Sequence, residues 1–288
     1  MYATRYWISL LVSTALLTGV SANARGQTTD VNVLSVNDPR PLEAAVLSLI
    51  RKYDVSVTYE DPRYEYSGEM RDITDQVNKS SKPPKVRTII PIGGLLQASY
   101  AVSRQSGQLA SPADAIHAIV DAQNANAMGG RFAVQQSGDT FHIVPTEVRD
   151  SNGAWINQQS VLDTRITFSS IDGESAESLV ESVLKEVSSV SGQKLLVGLF
   201  PIGPTAVGGG GYHTKVEAKN EPARDVLMSL LHSISPRLTW VLNYDPSDHS
   251  YYFNVMTIAA PPEPENTRTL IPPQPGTRTP GGPATRGN

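Results

Sequence analysis

The sequence predicts an α+β protein arranged as two tandem halves, each made of small helix-on-sheet units of βαβ or αββ type. Three observations carry this. Segments with apolar residues at helical spacing recur four times along the chain, each is followed by a run that reads as a strand, and three of the helices have proline just before or within the first turn.

The first helix begins at Pro41, with Leu42, Ala45, Val46, Leu49, Ile50 and Tyr53 at relative positions 0, 3, 4, 7, 8 and 11, which puts them on one face. Val55 to Tyr59 then alternates as a half-buried strand does. The second helix starts at the serine cap and proline of Ser111-Pro112, with Ile116, Ile119 and Val120 as its apolar stripe. Phe132 and Val134, a polar turn at Ser137-Gly138-Asp139, and Phe141 to Val144 predict a β-hairpin. The third helix repeats the six offsets of the first at Ala176, Leu179, Val180, Val183, Leu184 and Val187, and Leu195 to Phe200 supplies its strand. The fourth has Ala223, Val226, Leu227, Leu230, Leu231 and Ile234 at those offsets, followed by Thr239 to Tyr244, a turn at Asp245 to Asp248, and Tyr251 to Val255.

The second and fourth units match, each with a polar cap, Pro-Ala, a helix and two aromatic strands around a polar turn. The expected division is therefore a first half over 30–148 and a second over 158–258, with residues 78–85 and 203–211 as linkers inside them. Each helix would cover a two- or three-stranded sheet of its own.

Residues 1–24 have the form of an export signal: Arg5, an apolar stretch from Tyr6 to Val20, and small residues at Ala22 and Ala24, which places cleavage after Ala24. That stretch is shorter than the roughly 20 apolar residues of a bilayer-spanning helix. The expected location is the periplasm or the exterior, with no transmembrane span in the mature chain. Residues 261–288 hold 8 of the 21 prolines and almost no apolar side chains, and they read as a disordered tail. The absence of cysteine excludes disulfides, thiol catalysis and cysteine-ligated metal. Removal of Arg5 with the signal leaves 23 basic against 28 acidic side chains, with no basic block, which argues against a nucleic-acid partner.

The runs Pro41 to Ala45 with Val55 to Tyr59, and Asn220 to Leu227 with Trp240 to Leu242, resemble the short N-terminal periplasmic module of secretins and TonB-dependent receptors. The resemblance implies a duplicated docking or signalling module that is not an enzyme. No pore, plug or barrel domain follows Val255, so the partner implied is a separate envelope protein.

Motifs for hydrolysis or nucleotide binding are missing: the sequence has no Gly-x-Ser-x-Gly and no His-Glu-x-x-His, and Gly208 to Gly211 lacks the lysine of a phosphate loop. Asp114, His117 and Asp121 share a helix face, but nothing nearby completes a metal shell, and a water-facing polar side is the plainer account. No cofactor or metal site is expected. The most unusual polar stretch is Tyr59 to Tyr66, in which Glu60, Asp61, Tyr64 and Tyr66 are candidates for ligand or partner contact. Trp240, Tyr251 and Tyr252 form a second aromatic group. Adjacent Tyr251 and Tyr252 point oppositely, so one of them is expected at the surface, where a sheet edge can accept a partner strand. The expected function is non-enzymatic interaction or scaffolding in the bacterial cell envelope. The alternatives are carbohydrate or peptidoglycan binding in a groove lined by Tyr64, Tyr66 or Trp240, and a secreted hydrolase joining Glu60 or Asp61 to a histidine.

Overall fold

The computed structural model describes residues 30–78, 87–102, 111–170, 174–201 and 215–258. The expected signal peptide, all but Asn78 of the first linker, the 203–211 linker and the tail lie outside the described residues.

In chain order the helices are α1 (Pro41–Tyr53), α2 (Thr74–Val77), α3 (Pro112–Asn124), α4 (Ala176–Ser191) and α5 (Ala223–Ile234). The strands are β1 (Asp30–Asp38), β2 (Ser56–Glu60), β3 (Met70–Asp72), β4 (Ile89–Pro91), β5 (Gly94–Val102), β6 (Arg131–Ser137) and β7 (Thr140–Arg149). They continue with β8 (Trp155–Asn157), β9 (Arg165–Ser169), β10 (Lys194–Val197), β11 (Glu217–Pro222), β12 (Leu238–Asp245) and β13 (Ser250–Thr257).

The four long helices form where their apolar spacing requires, and their ends have local causes. Pro41 and Pro112 occupy first-turn positions in α1 and α3, where the missing N–H costs nothing. In α4 the Ser175 hydroxyl accepts from the Ser178 N–H, and Gly192 ends the helix at φ 70°, a left-handed conformation natural to glycine. Every residue of the six-offset stripe of α4 is buried.

The strands do not divide as expected. One seven-stranded sheet runs in the order β10-β13-β12-β2-β7-β6, with β8 paired to β7, and so mixes strands from both expected halves. β12 lies parallel to β2, with Val241 opposite Tyr59 and Leu242 opposite Glu60. The prediction of two separate tandem halves is therefore corrected to a single intertwined α+β fold. The physical reason is at the seam. The backbone at the far edge of β12 is buried between the two cores and takes its partners from β2 and the residue after it: the Asp61 N–H donates to the Leu242 carbonyl at 2.8 Å, and the Thr239 hydroxyl donates to the Val57 carbonyl. A buried strand edge is stable only when paired.

Alternation along β12 divides the helices between the two faces of the sheet. Trp240 and Leu242 join the core under α4 and α5 with Leu195, Tyr251 and Phe253. Val241, between them in sequence, joins the core under α1 and α3 with Val57, Tyr59, Phe141 and Ile143. Short ribbons flank the sheet: β1 pairs antiparallel with β5, β9 with β11, and β3 with β4.

Candidate functional site

Five of the seven residues singled out in the sequence lie inside the molecule. Glu60 is 1% exposed and Trp240 is fully buried, and Asp61, Tyr64 and Tyr251 are enclosed as well. Tyr66 and Tyr252 are half-buried. Of the adjacent pair Tyr251 and Tyr252, the first packs against Tyr244 at 4.9 Å between ring centroids, and the second donates to Asp248 Oδ2 at 2.8 Å. A sugar groove cannot be lined by Trp240, whose indole N–H instead donates to Met228 Sδ at 3.2 Å.

The carboxylates are taken up by the seam. Arg224, in the first turn of α5, donates through Nε and Nη2 to Glu60 Oε1 at 3.0 and 2.8 Å, and through Nη1 to Asp163 Oδ1 at 2.7 Å and Gln135 Oε1 at 3.1 Å. Its Nη2 also donates to Ser160 Oγ at 2.9 Å, while that hydroxyl donates to Glu60 Oε2. Burial opposes the guanidinium charge, but the Glu60 and Asp163 carboxylates outweigh it and hold the Arg224 pKa above its ordinary value. A buried charge is tolerated only when paired and hydrogen-bonded in this way.

Asp61 works at the edge of β12. Its Oδ2 accepts from the Tyr244 N–H at 3.0 Å and from Arg40 Nε at 2.6 Å, while Arg40 Nη2 donates to the Tyr244 carbonyl at 2.7 Å. The ion pair thus holds the backbone N–H and C=O of Tyr244 as a neighbouring strand would. The Tyr59 hydroxyl donates to the other Asp61 oxygen at 2.8 Å, and burial, followed by that carboxylate, pushes the phenol well above its usual range. Neither Glu60 nor Asp61 has a histidine among its hydrogen-bond partners, so the pairing that hydrolysis would need is not assembled.

Asp114, His117 and Asp121 are exposed on α3, and among the described residues no group of three or more histidines and carboxylates is placed to hold a metal ion. Among the described residues, too, no helix is long and apolar enough to cross a membrane.

What remains open is the periphery of the large sheet. β6 and β10 are its end strands. β6 pairs with β7 through Ser137 opposite Thr140, Gln135 opposite His142 and Ala133 opposite Val144. A two-residue hairpin loop closes on a hydrogen-bonded pair, so these three exchange bonds with β7 and the N–H and C=O of Phe132, Val134 and Gln136 face away from it. Asn124, the last residue of α3, satisfies Phe132: its Nδ2 donates to the carbonyl at 2.9 Å, and its Oδ1 accepts from the N–H at 2.8 Å. No described strand meets Val134 or Gln136. On β10 the Ser188 hydroxyl likewise accepts from the Leu195 N–H at 3.0 Å.

Arg224, Arg40, Ser160 and Asn124 were not foreseen. The signal for Arg224 was an arginine placed inside the first turn of an otherwise apolar helix, Pro222-Ala223-Arg224-Asp225. No family model, curated protein or solved structure matches the chain.

Proposed function

We propose that the protein is a non-enzymatic interaction module of the bacterial cell envelope, acting outside the cytoplasm, which docks a partner protein by adding an extended segment of that partner to the β6 edge. The observation that carries this reading is the pair of outward-facing backbone positions at Val134 and Gln136, on the edge of β6 that faces away from β7 and meets no described strand. Strand addition draws its affinity from main-chain hydrogen bonds and its selectivity from alternate side chains. The half-buried Ala133 and Val134 and the exposed Gln135 and Gln136 supply such a surface. The engagement of Glu60 and Asp61 in the seam supports a binding role over catalysis, and the sequence pattern of residues 1–24 supports export.

The test is amide exchange at β6, measured with and without a partner captured from the envelope fraction. Bound partner should slow exchange at Val134 and Gln136. Val134→Pro, which removes an N–H that β7 does not use, should weaken binding by roughly tenfold or more while leaving the fold intact. Partner binding that is indifferent to Val134→Pro and protects a different surface would overturn the reading.

A further inference from the structure

A cavity of about 80 Å³ lies between the start of α1, the turn that leads into β5 and the end of α3. Its walls include Glu69, Gln123, Tyr64, Tyr59 and Gly129. Glu69 is 3% exposed and Gln123 2%, yet Glu69 Oε2 and Gln123 Oε1 have no hydrogen-bond partner. The remaining polar atoms of both side chains are fixed. Glu69 Oε1 accepts from the Gly129 N–H at 3.3 Å and stands 3.3 Å from Arg149 Nε, while Gln123 Nε2 donates to the Met128 carbonyl at 3.0 Å. These contacts settle the Gln123 amide orientation, so its oxygen is the free atom.

Tyr64 adds a third group. It is buried, and no hydrogen bond to its hydroxyl is formed among the described residues. Its phenol is raised well above the usual range by burial first and then by the Asp61 carboxylate, against the opposing charge of Arg40, with Glu69 and Glu43 adding to the rise. Arg40 also lines the cavity, but its guanidinium is held by Asp61 and the Tyr244 carbonyl. The backbone at Gly129 is shaped for this arrangement. Its φ is 86°, and a Cβ there would stand 3.0 Å from Gln123 Nε2, so any larger residue would disturb the amide.

Three acceptor oxygens without donors, one of them on a carboxylate, define the ligand by its hydrogen-bonding inventory. An alkyl ammonium has three N–H donors and one positive charge. A quaternary ammonium has no donors, and a guanidinium is wider and planar. Size narrows the choice further. A cavity of about 150 Å³ accepts benzene, so this one takes about three heavy atoms, far fewer than a sugar ring. We propose that this cavity binds a primary ammonium group on a short alkyl stem, presented by a small amine or by a lysine side chain, with Glu69, Gln123 and Tyr64 accepting its three protons. The site is separate from the β6 edge and stands independently of the docking proposal.

The experiment is an NMR titration of the folded chain that follows the Gly129 amide and the Gln123 side-chain NH2. Ethylammonium chloride, a peptide containing one lysine, and tetramethylammonium chloride at equal ionic strength are the three probes. Saturable shifts with ethylammonium or the lysine peptide, and none with tetramethylammonium, are expected. A tighter fit for the peptide identifies a protein source, and equal or weaker binding a free amine. Glu69→Gln should weaken binding by about tenfold or more, because it removes the charge and turns a donor towards the ammonium. Tyr64→Phe keeps the shape and should weaken binding about threefold to tenfold, and it carries the test if Glu69→Gln does not fold. No saturable shift with either amine, or the same shift with tetramethylammonium, would mean that water alone fills the cavity and would overturn the proposal.

Discussion

β12 and β6 are strands of one kind with opposite fates. Each follows an amphipathic helix, pairs antiparallel with the next strand, and turns its other edge outward from that hairpin. The outer edge of β12 is closed three times over: by β2, by the Arg40–Asp61 ion pair on Tyr244, and by the Thr239 hydroxyl donating to the Val57 carbonyl at 2.6 Å. The outer edge of β6 has a single neutral amide, Asn124, at one end. Ionised groups therefore concentrate where the chain closes on itself, and the boundary left for other molecules is unclamped. Closure by charge gives a seam with one register, whereas an edge with one cap keeps its remaining positions free.

The comparison breaks most sharply at Arg224. Arg224→Ala leaves Glu60 buried without its counter-charge, and should destabilise the fold by about 3–5 kcal/mol in denaturant melts. Replacing Glu60 and Arg224 together by apolar residues of similar volume should recover much of that loss, because a missing pair costs less than a broken one.

The next effect is pH dependence. Burial, aided by the nearby Asp61 carboxylate, pushes the Glu43 carboxyl from 4.5 up to about 7. Its contribution to stability is complete below the unfolded value and is lost as pH rises towards 7. Burial, then the Arg224 charge, lowers His142 from 6.5 to about 4, so its contribution is complete above 6.5 and is lost as pH falls towards 4. The two slopes oppose each other between those limits, so each offsets part of the other in the wild type. Relative to the wild type, Glu43→Gln should become more sensitive to acidification and His142→Gln more sensitive to alkalinisation, by up to about 3 kcal/mol each. Parallel curves for the two variants would contradict this assignment.

A smaller effect is expected at the β6 cap. Asn124→Ala frees the outward N–H and C=O of Phe132, at a cost of about 1–2 kcal/mol in thermal or denaturant melts. It lengthens the open edge, so amide exchange at Phe132 should accelerate while exchange at Tyr244 stays unchanged. Ser188→Ala, which releases only the Leu195 N–H, should cost about 1 kcal/mol.

The helices were legible because a stripe at helical spacing must be buried whatever lies opposite, and the stripe of α4 is buried throughout. The β6–β7 and β12–β13 hairpins were legible from alternation around polar turns. The seam was not, because alternation reports which face of a strand is covered and nothing about which strand lies beside it. Glu60 and Asp61 stood out as charges at a strand end, but the partner that explains Glu60 lies 164 residues further along. β1 was not read from the sequence, for another reason. Its Val31 and Val33 are exposed while Leu34 and Val36 pack inward, so the strand is apolar on both sides and pattern alone cannot orient it. The β6 edge and the Glu69 cavity depend on tertiary placement, and no local motif announces either.

The seam also sets a clock on biosynthesis. Thr239 follows Val57 by 182 positions, which at ordinary ribosomal speeds of about 5–20 residues per second is a delay of roughly 10–40 s. Throughout that interval the nascent N-terminal segment carries an uncovered strand of tyrosine and valine, so acquisition of the native state has to wait for release of nearly the whole polypeptide.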